Sequence, residues 1–149
     1  MNPSRFLPLL ALAALLSPAP APRADDVGSA SPPVVRRFTR VPAPDGIQIR
    51  RYNKTDGPRP GPKDTVLVHY EGTLEDGTVF DSTLRQRRPA ALRLDKVIPC
   101  WKVALTRLRE GEKAQVICPA EVAYGAKGSP PSIPSNARLT FEIELIDVL

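Results

Sequence analysis

The stretch that most constrains the fold is Val66–Ser82, with the sequence VLVHYEGTLEDGTVFDS. Apolar and polar side chains alternate in its first part up to Tyr70, which is typical of a strand with one face in a core. Glu75–Gly77 supplies a turn in which glycine can adopt a positive φ, and a second extended run follows. That run carries Phe80 and Asp81 side by side. The stretch therefore predicts a β-hairpin with a carboxylate at the rim of an aromatic pocket. The alternative interpretation is a hairpin with a polar edge and no function in binding.

The rest of the chain adds further extended segments and one helix. Alternating apolar residues predict strands at Gly46–Tyr52, Ala90–Leu94, Ala114–Cys118 and Leu139–Leu145. An apolar stripe at helical spacing, between Pro99 and Gly111, consists of Trp101, Ala104, Leu105 and Leu108. The segments predicted as loops are the polar Thr83–Pro89 and the Pro-containing Pro119–Arg138. Because an apolar sheet face needs a cover, we expect an α+β fold: a curved antiparallel sheet of five or six strands wrapped around one short helix.

The first part of the chain has a different character. Arg5 precedes a short apolar run, Phe6–Leu16, which is too short to span a bilayer but is typical of a secretory signal peptide. We predict a signal peptide in residues 1–24, a flexible Pro/Ala-rich linker in residues 25–44 and a folded domain in residues 45–149. The exact cleavage site is left open, and a leader that is retained as a tether is the alternative.

Charge and side-chain inventory argue against several classes of function. The formal net charge is +5, but the basic residues are scattered in short pairs without interleaved aromatics, so we expect no nucleic-acid binding. His69 is the only histidine, and strand alternation directs it away from the face of Tyr70, so we expect neither a metal site nor a His-based triad. We also expect no cofactor, no stable membrane span and a monomer.

Several short motifs follow the hairpin in a fixed order. After VHYEGTLEDGTVFDS come VIPCW from Val97, GEK from Gly111, AYG from Ala123, IP at Ile133 and LTFEIELIDVL at the end. In this order and spacing they resemble the FKBP-type peptidyl-prolyl cis-trans isomerases, and the resemblance covers about Asp45 to Leu149. It implies the FKBP-like fold and an enzyme that accelerates rotation about X-Pro bonds without a covalent intermediate.

The resemblance also implies a binding pocket. Its substrate-binding positions map onto Tyr70, Phe80, Val97, Ile98, Trp101, Tyr124, Ile133 and Phe141, and its catalytic positions onto Phe80, Asp81 and Tyr124. In the family, the backbone N–H at the Ile98 position and the hydroxyl at the Tyr124 position donate to ligand carbonyls. The acid at the Asp81 position lies beside the carbonyl that twists. Without the resemblance, Trp101 and Phe141 are interpreted as packed core and Asp81 as an acid in a turn.

Departures from the family pattern lie at the rim of the pocket. Gln86 stands where the family has an arginine that pairs with the acid, and Ala90 and Leu92 stand where it often has aromatics. The positions of the pocket floor are unchanged. The resemblance implies proline-containing polypeptides as clients, whereas the affinity for macrolide inhibitors and the preferred residue before proline are left open.

The two cysteines give a further expectation. Cys100 stands where the family usually has glycine, and Cys118 ends the strand that returns from the helix. In an exported chain such a pair favours a disulfide, and two buried free thiols are the alternative. The spacing differs from CxxC, so a redox-active pair is not expected.

Two classes of function are therefore weighed. The sequence favours a periplasmic or secreted prolyl isomerase that assists the folding of exported proteins. The alternative is a binding module or holdase that uses the same cleft without catalysis, and turnover of a proline peptide distinguishes the two. An extracellular effector that acts on host proteins is compatible with export, but no motif supports it.

Overall fold

The computed structural model describes residues 36–149 of the chain. Its strands and α-helices are β1 (Thr39–Val41), β2 (Gln48–Arg51), β3 (Thr65–Thr73), β4 (Val79–Ser82), α1 (Thr83–Gln86), β5 (Ala90–Arg93), α2 (Pro99–Leu105), β6 (Lys113–Cys118) and β7 (Leu139–Val148). Two short 3-10 helices, Ala120–Val122 and Gly125–Lys127, lie between β6 and β7. The predicted signal peptide and most of the predicted linker lie outside the described residues.

The strands form one sheet in the order β1-β2-β6-β7-β3-β4, and every pairing is antiparallel. Strand β3 is central: β7 pairs with one edge, and β4 and β5 share the other. The inner face of the sheet and the buried side of α2 form a single core. The α+β class and the antiparallel sheet with one main helix are confirmed, although the sheet has seven strands rather than five or six.

The additional strand is β1, which pairs with β2 so that Val41 lies opposite Ile49. Val41 and Ala43 pack against the core. This segment falls within residues 25–44, the predicted linker, so that range contains a strand that the sequence does not indicate. A strand of three residues contains too few side chains for an alternation to be visible in the sequence.

Helix α2 covers the inner face of the sheet. Pro99 is its first residue, where a missing N–H costs little, and its buried side chains are Cys100, Trp101, Ala104 and Leu105. The helix ends at Leu105, earlier than predicted, and the chain continues in tighter turns in which the Leu108 N–H donates to the Leu105 carbonyl at 3.2 Å. None of the helices in residues 36–149 has the length and apolar character needed to cross a membrane.

Helix α1 occupies a segment that the sequence predicts as a polar loop. The Ser82 hydroxyl caps it by accepting a hydrogen bond from the Arg85 N–H at 3.3 Å. Arg87 ends it in the left-handed conformation, with φ of 52°. A helix this short has no room for an apolar stripe and depends on its cap and its contacts with β3, so periodicity could not reveal it.

Cys100 in α2 and Cys118 at the end of β6 form a disulfide, which confirms the predicted pairing. Both residues are fully buried. The bond fastens the first turn of α2 to the sheet. It also anchors the chain just before the loop Pro119–Arg138.

We expect loss of this disulfide to lower the free energy of unfolding by about 3 kcal/mol, because closing a loop of this size restricts the unfolded chain. The two cysteines are 18 residues apart. Urea unfolding of the oxidised protein and of the Cys100→Ala/Cys118→Ala variant measures the difference. Dithiothreitol should lower the midpoint of the oxidised protein and leave the double variant unchanged. Equal midpoints for the two oxidised samples would show that the bond does not stabilise the fold.

A buried carboxylate organises the connection between α2 and β6. Glu112 is fully buried, and its carboxylate accepts hydrogen bonds from the backbone N–H groups of Thr55 at 3.3 Å and Arg109 at 3.0 Å. The Arg51 guanidinium lies 3.4 Å away. A charge can be buried when it is both paired and hydrogen-bonded. The glutamate of the GEK motif therefore joins β2, the loop after β2 and the turn before β6.

Candidate active site

A cleft of about 320 Å³ opens on the inner face of the sheet, beside the start of α2. It is lined by Tyr70, Phe80, Asp81, Leu92, Lys96, Val97, Ile98, Trp101, Tyr124 and Phe141. The structure therefore brings together every residue that the sequence assigns to the pocket except Ile133. That side chain is 5% exposed and packs in the core, and its backbone exchanges hydrogen bonds with Ser129.

Four aromatic rings in edge-to-face contact form the floor of the cleft. The Trp101 ring lies 4.8 Å from Tyr70 and 5.1 Å from Phe141, measured between centroids, and Phe80 lies 5.6 Å from Phe141. Each such pair contributes about 0.5–1.5 kcal/mol beyond the burial of its surface. The floor is therefore an apolar surface whose rings hold one another in place.

Gly72 allows two of these rings to approach the sheet, and no motif had singled it out. It lies in β3, opposite Phe141 of β7 and Asp81 of β4. A Cβ atom at this position would lie 2.5 Å from Cζ of Phe80 and 3.0 Å from Cε1 of Phe141, closer than van der Waals contact allows. A glycine in a strand interior commonly marks a site where other atoms approach the backbone closely, so the glycine within the predicted strand could have indicated this role.

We expect Gly72→Ala to lower the free energy of unfolding by about 1–3 kcal/mol, because the added methyl group overpacks the core against Phe80. A double-mutant cycle with Phe80→Leu, followed by urea unfolding, tests the cause. The two substitutions should be less than additive, since the smaller side chain leaves room for the methyl group. Strict additivity would show that the ring of Phe80 is not what requires glycine.

Asp81 faces the cleft from β4 and is held by one side chain. The Tyr70 hydroxyl donates a hydrogen bond to Oδ2 of Asp81 at 2.5 Å. Burial raises the pKa of Tyr70, and the hydrogen bond to Asp81 and its negative charge raise the pKa further, so the hydroxyl stays protonated at neutral pH. Within residues 36–149, Asp81 forms no ion pair with Arg or Lys, in keeping with Gln86 at the position of the family's arginine. The carboxylate is thus oriented by a neutral donor.

Thr83 holds the backbone of Tyr70 at a gap in the sheet. Strand β4 pairs with β3 from Glu71 onward and β5 pairs with it up to Val68, so Tyr70 has no strand partner on that edge. The Thr83 hydroxyl accepts a hydrogen bond from the Tyr70 N–H at 2.8 Å and lies 3.2 Å from the Tyr70 carbonyl oxygen. Nδ1 of His69 is 3.0 Å from the same hydroxyl. Thr83, for which the sequence suggested no role, therefore positions the tyrosine that orients Asp81.

Polar groups are also present at the mouth of the cleft. Ile98 is the N-cap residue of α2, and in the part of the chain that the structure describes its N–H has no hydrogen-bond acceptor. Tyr124 lies between the two 3-10 helices and is 40% exposed. Lys96 contributes a cation to the lining, which the motifs did not indicate. The cleft thus combines an apolar floor with an oriented carboxylate and available donors.

Residues 57–146 match the family described as FKBP-type peptidyl-prolyl cis-trans isomerase. The chain belongs to this family. It is 44% identical over 108 residues to FK506-binding protein 1A of Emericella nidulans, a match that covers 69% of this chain and 98% of that protein. It is 43% identical over 108 residues to the outer membrane protein MIP of Legionella longbeachae, covering 72% of this chain and 46% of that relative. The family and the isomerase class inferred from the motifs are confirmed.

The fold agrees with that of a solved peptidyl-prolyl cis-trans isomerase. The 1.6 Å crystal structure of a peptidyl-prolyl cis-trans isomerase from Pseudomonas syringae superposes with a TM-score of 0.69 at 38% sequence identity. The match covers 73% of this chain and 80% of that one. The FKBP-like architecture expected from the sequence is therefore confirmed.

Proposed function

We propose that this cleft accelerates cis–trans rotation about X-Pro bonds by holding the proline ring on its aromatic floor, without a covalent intermediate. The observation that carries the proposal is the position of one carboxylate beside an otherwise apolar floor. Asp81 and the rings of Tyr70, Trp101 and Phe141 line the same cleft. Proline is apolar and preorganised, so it suits a site made of rigid rings.

The chemistry requires only that the twisted amide be favoured over the planar one. Rotation about an amide faces a barrier of roughly 18–20 kcal/mol, because the C–N bond has partial double-bond character. An X-Pro bond is nearly balanced between its two states but exchanges in tens to hundreds of seconds. The planar amide is the more polar form, so a water-poor apolar cleft destabilises it relative to the twisted form. Each ~1.4 kcal/mol gained in this way accelerates the rotation about tenfold.

The polar groups of the cleft have separate roles in this proposal. The N–H of Ile98 and the hydroxyl of Tyr124 donate to carbonyl groups of the peptide on either side of the proline ring. Asp81, oriented by Tyr70, lies beside the carbonyl that leaves the amide plane and stabilises its altered dipole. Val97 and Phe80 hold the proline ring laterally.

The proposed clients are proline-containing polypeptides exported with the protein to the periplasm or outside the cell. Two features support this location: the signal-like run Phe6–Leu16 and the disulfide between Cys100 and Cys118, which reducing cytosol would not sustain. The name of the MIP relative refers to an outer membrane protein. We propose a monomer whose open rim, with Ala90 and Leu92, alters its affinity for macrolide inhibitors.

The test is the cis-to-trans rate of an X-Pro peptide in the presence of the full chain. The proposal predicts acceleration proportional to enzyme concentration. A parallel measurement of aggregation of an unfolded client addresses the alternative, a binding module. Suppression of aggregation without any acceleration of the peptide would favour that module and reject the isomerase.

A further inference from the structure

A second hollow lies directly beside the cleft. Its volume is about 220 Å³, and it is lined by Val79, Phe80, Asp81, Ser82, Arg85 and Gln86. Phe80 and Asp81 line both cavities, so they form the wall between them. Because a residue of extended chain spans only about 3.3 Å, the residues that flank a proline in the cleft can reach this hollow.

Each of the two cavities carries one cation that forms no ion pair in the described part of the chain. Lys96 lines the cleft and Arg85 lines the adjacent hollow, and both residues are exposed. Neither forms an ion pair within residues 36–149. Asp95, which is next to Lys96 in the chain, is instead paired with Arg93 at 2.8 Å.

Two further arginines follow Arg85 in the chain. Arg87 and Arg88, in the connection from α1 to β5, are exposed and also lack an ion pair in the described part of the chain. Among the described residues, Asp81 contributes the only carboxylate to either lining, and the Tyr70 hydroxyl donates to it. Each lining therefore contains one exposed cation, and the wall that the two cavities share contains one acid that is already hydrogen-bonded to Tyr70.

We propose that Lys96 and Arg85 make this isomerase selective for X-Pro segments that carry Asp or Glu within a few residues of the proline. The proposal rests on the isomerase function and adds a class of client to it. Exposed ion pairs are weak, so each of the two cations is expected to favour an acidic flank about two- to fivefold. The preference comes from unscreened charge and therefore weakens with salt, since the Debye length falls to about 3 Å at 1 M.

Three peptides that differ only in one residue near the X-Pro bond, as Glu, Gln or Lys, provide the test with the full chain. We expect kcat/KM to fall in the order Glu, Gln, Lys, with a Glu-to-Lys ratio of about tenfold at low ionic strength. The ratio should shrink toward one in 1 M NaCl. Lys96→Gln and Arg85→Gln should each reduce the ratio, and the double variant should abolish it.

Lys102→Gln is the matched control, because Lys102 is an exposed cation on α2 that lines neither cavity. It should leave the Glu-to-Lys ratio unchanged. Equal kcat/KM for the three peptides would overturn the proposed selectivity, and so would a Glu-to-Lys ratio that survives in the double variant. In either case, acceleration of the Gln peptide would show that the isomerase function itself still holds. Failure to accelerate any of the three peptides would instead reject the isomerase function itself.

Discussion

Asp81→Ala should lower kcat/KM for an X-Pro peptide by about 10- to 100-fold and leave the far-UV circular dichroism spectrum unchanged. An interaction with a charged group is worth about 1.5–3 kcal/mol, and each ~1.4 kcal/mol changes the rate tenfold. The fold should persist, because Asp81 is only partly buried and its carboxylate is held by a single hydrogen bond, from Tyr70. The measurement is the cis-to-trans rate under single-substrate conditions for both proteins.

Two further variants separate the charge of Asp81 from its position. Asp81→Asn keeps the size of the side chain and removes its charge, so it should lose most of the same activity. Tyr70→Phe keeps the ring on the floor but removes the donor that orients the carboxylate at 2.5 Å, and it should show a smaller loss. Wild-type kcat/KM in Asp81→Ala would mean that the acid only satisfies the Tyr70 hydroxyl.

Glu112→Ala should lower the free energy of unfolding by about 3–5 kcal/mol, because it breaks a buried ion pair by removing one partner. Removal of the carboxylate leaves the Arg51 guanidinium without its partner and takes the acceptor from the N–H groups of Thr55 and Arg109. The stability loss should appear as a lower urea midpoint, whereas the isomerase rate of the remaining folded protein should be retained.

The neighbouring ion pair between Lys113 and Glu144 is the matched control. Its atoms are also 3.4 Å apart, but its side chains are 56% and 40% exposed. Glu144→Ala should therefore cost less than about 1 kcal/mol. If Glu112→Ala lowers the free energy of unfolding by no more than Glu144→Ala does, the buried ion pair stabilises the fold no more than the exposed one.

The large elements of the fold could be predicted because their side-chain periodicity is long enough to be read. Strand β7 extends over ten residues, Leu139–Val148, with alternating burial, and α2 presents a compact buried face. Strand β1 and helix α1 contain three and four residues, and both form only because β2 and β3 supply partners for them. Tertiary contacts of this kind leave no local pattern in the sequence.

The residue types that line the cleft could be predicted from the sequence, but the arrangement of their side chains could not. The motifs located the rings of Tyr70, Trp101 and Phe141, and the family resemblance assigned their shared pocket. The register that places Gly72 opposite Phe141, and thereby lets Phe80 close over the strand, depends on pairing between distant strands. Lys96 and Thr83 acquire their positions from the same long-range contacts.

Ile133 shows a limit of the family resemblance, which names a residue without giving the direction of its side chain. The resemblance assigned it to substrate binding, whereas in the structure it packs in the core beside the cleft lining. Its loop, Pro119–Arg138, contains four prolines, and its backbone forms an isolated bridge with Ser129. The path of such a loop is set by local turns, so a motif within it fixes the residue but not the direction of its side chain.

The central claim, that the proline ring rests on the floor of this cleft, is tested most directly by the fluorescence of Trp101. It is the only tryptophan of the chain and is 5% exposed within the floor, so its emission reports this site alone. Titration with an X-Pro peptide should change the emission to saturation, with half-saturation at the concentration at which the same peptide competes in the isomerase assay. A matched peptide with Ala in place of Pro should give no change. Acceleration of the X-Pro peptide with an unaltered Trp101 emission would place the reaction elsewhere and contradict the account.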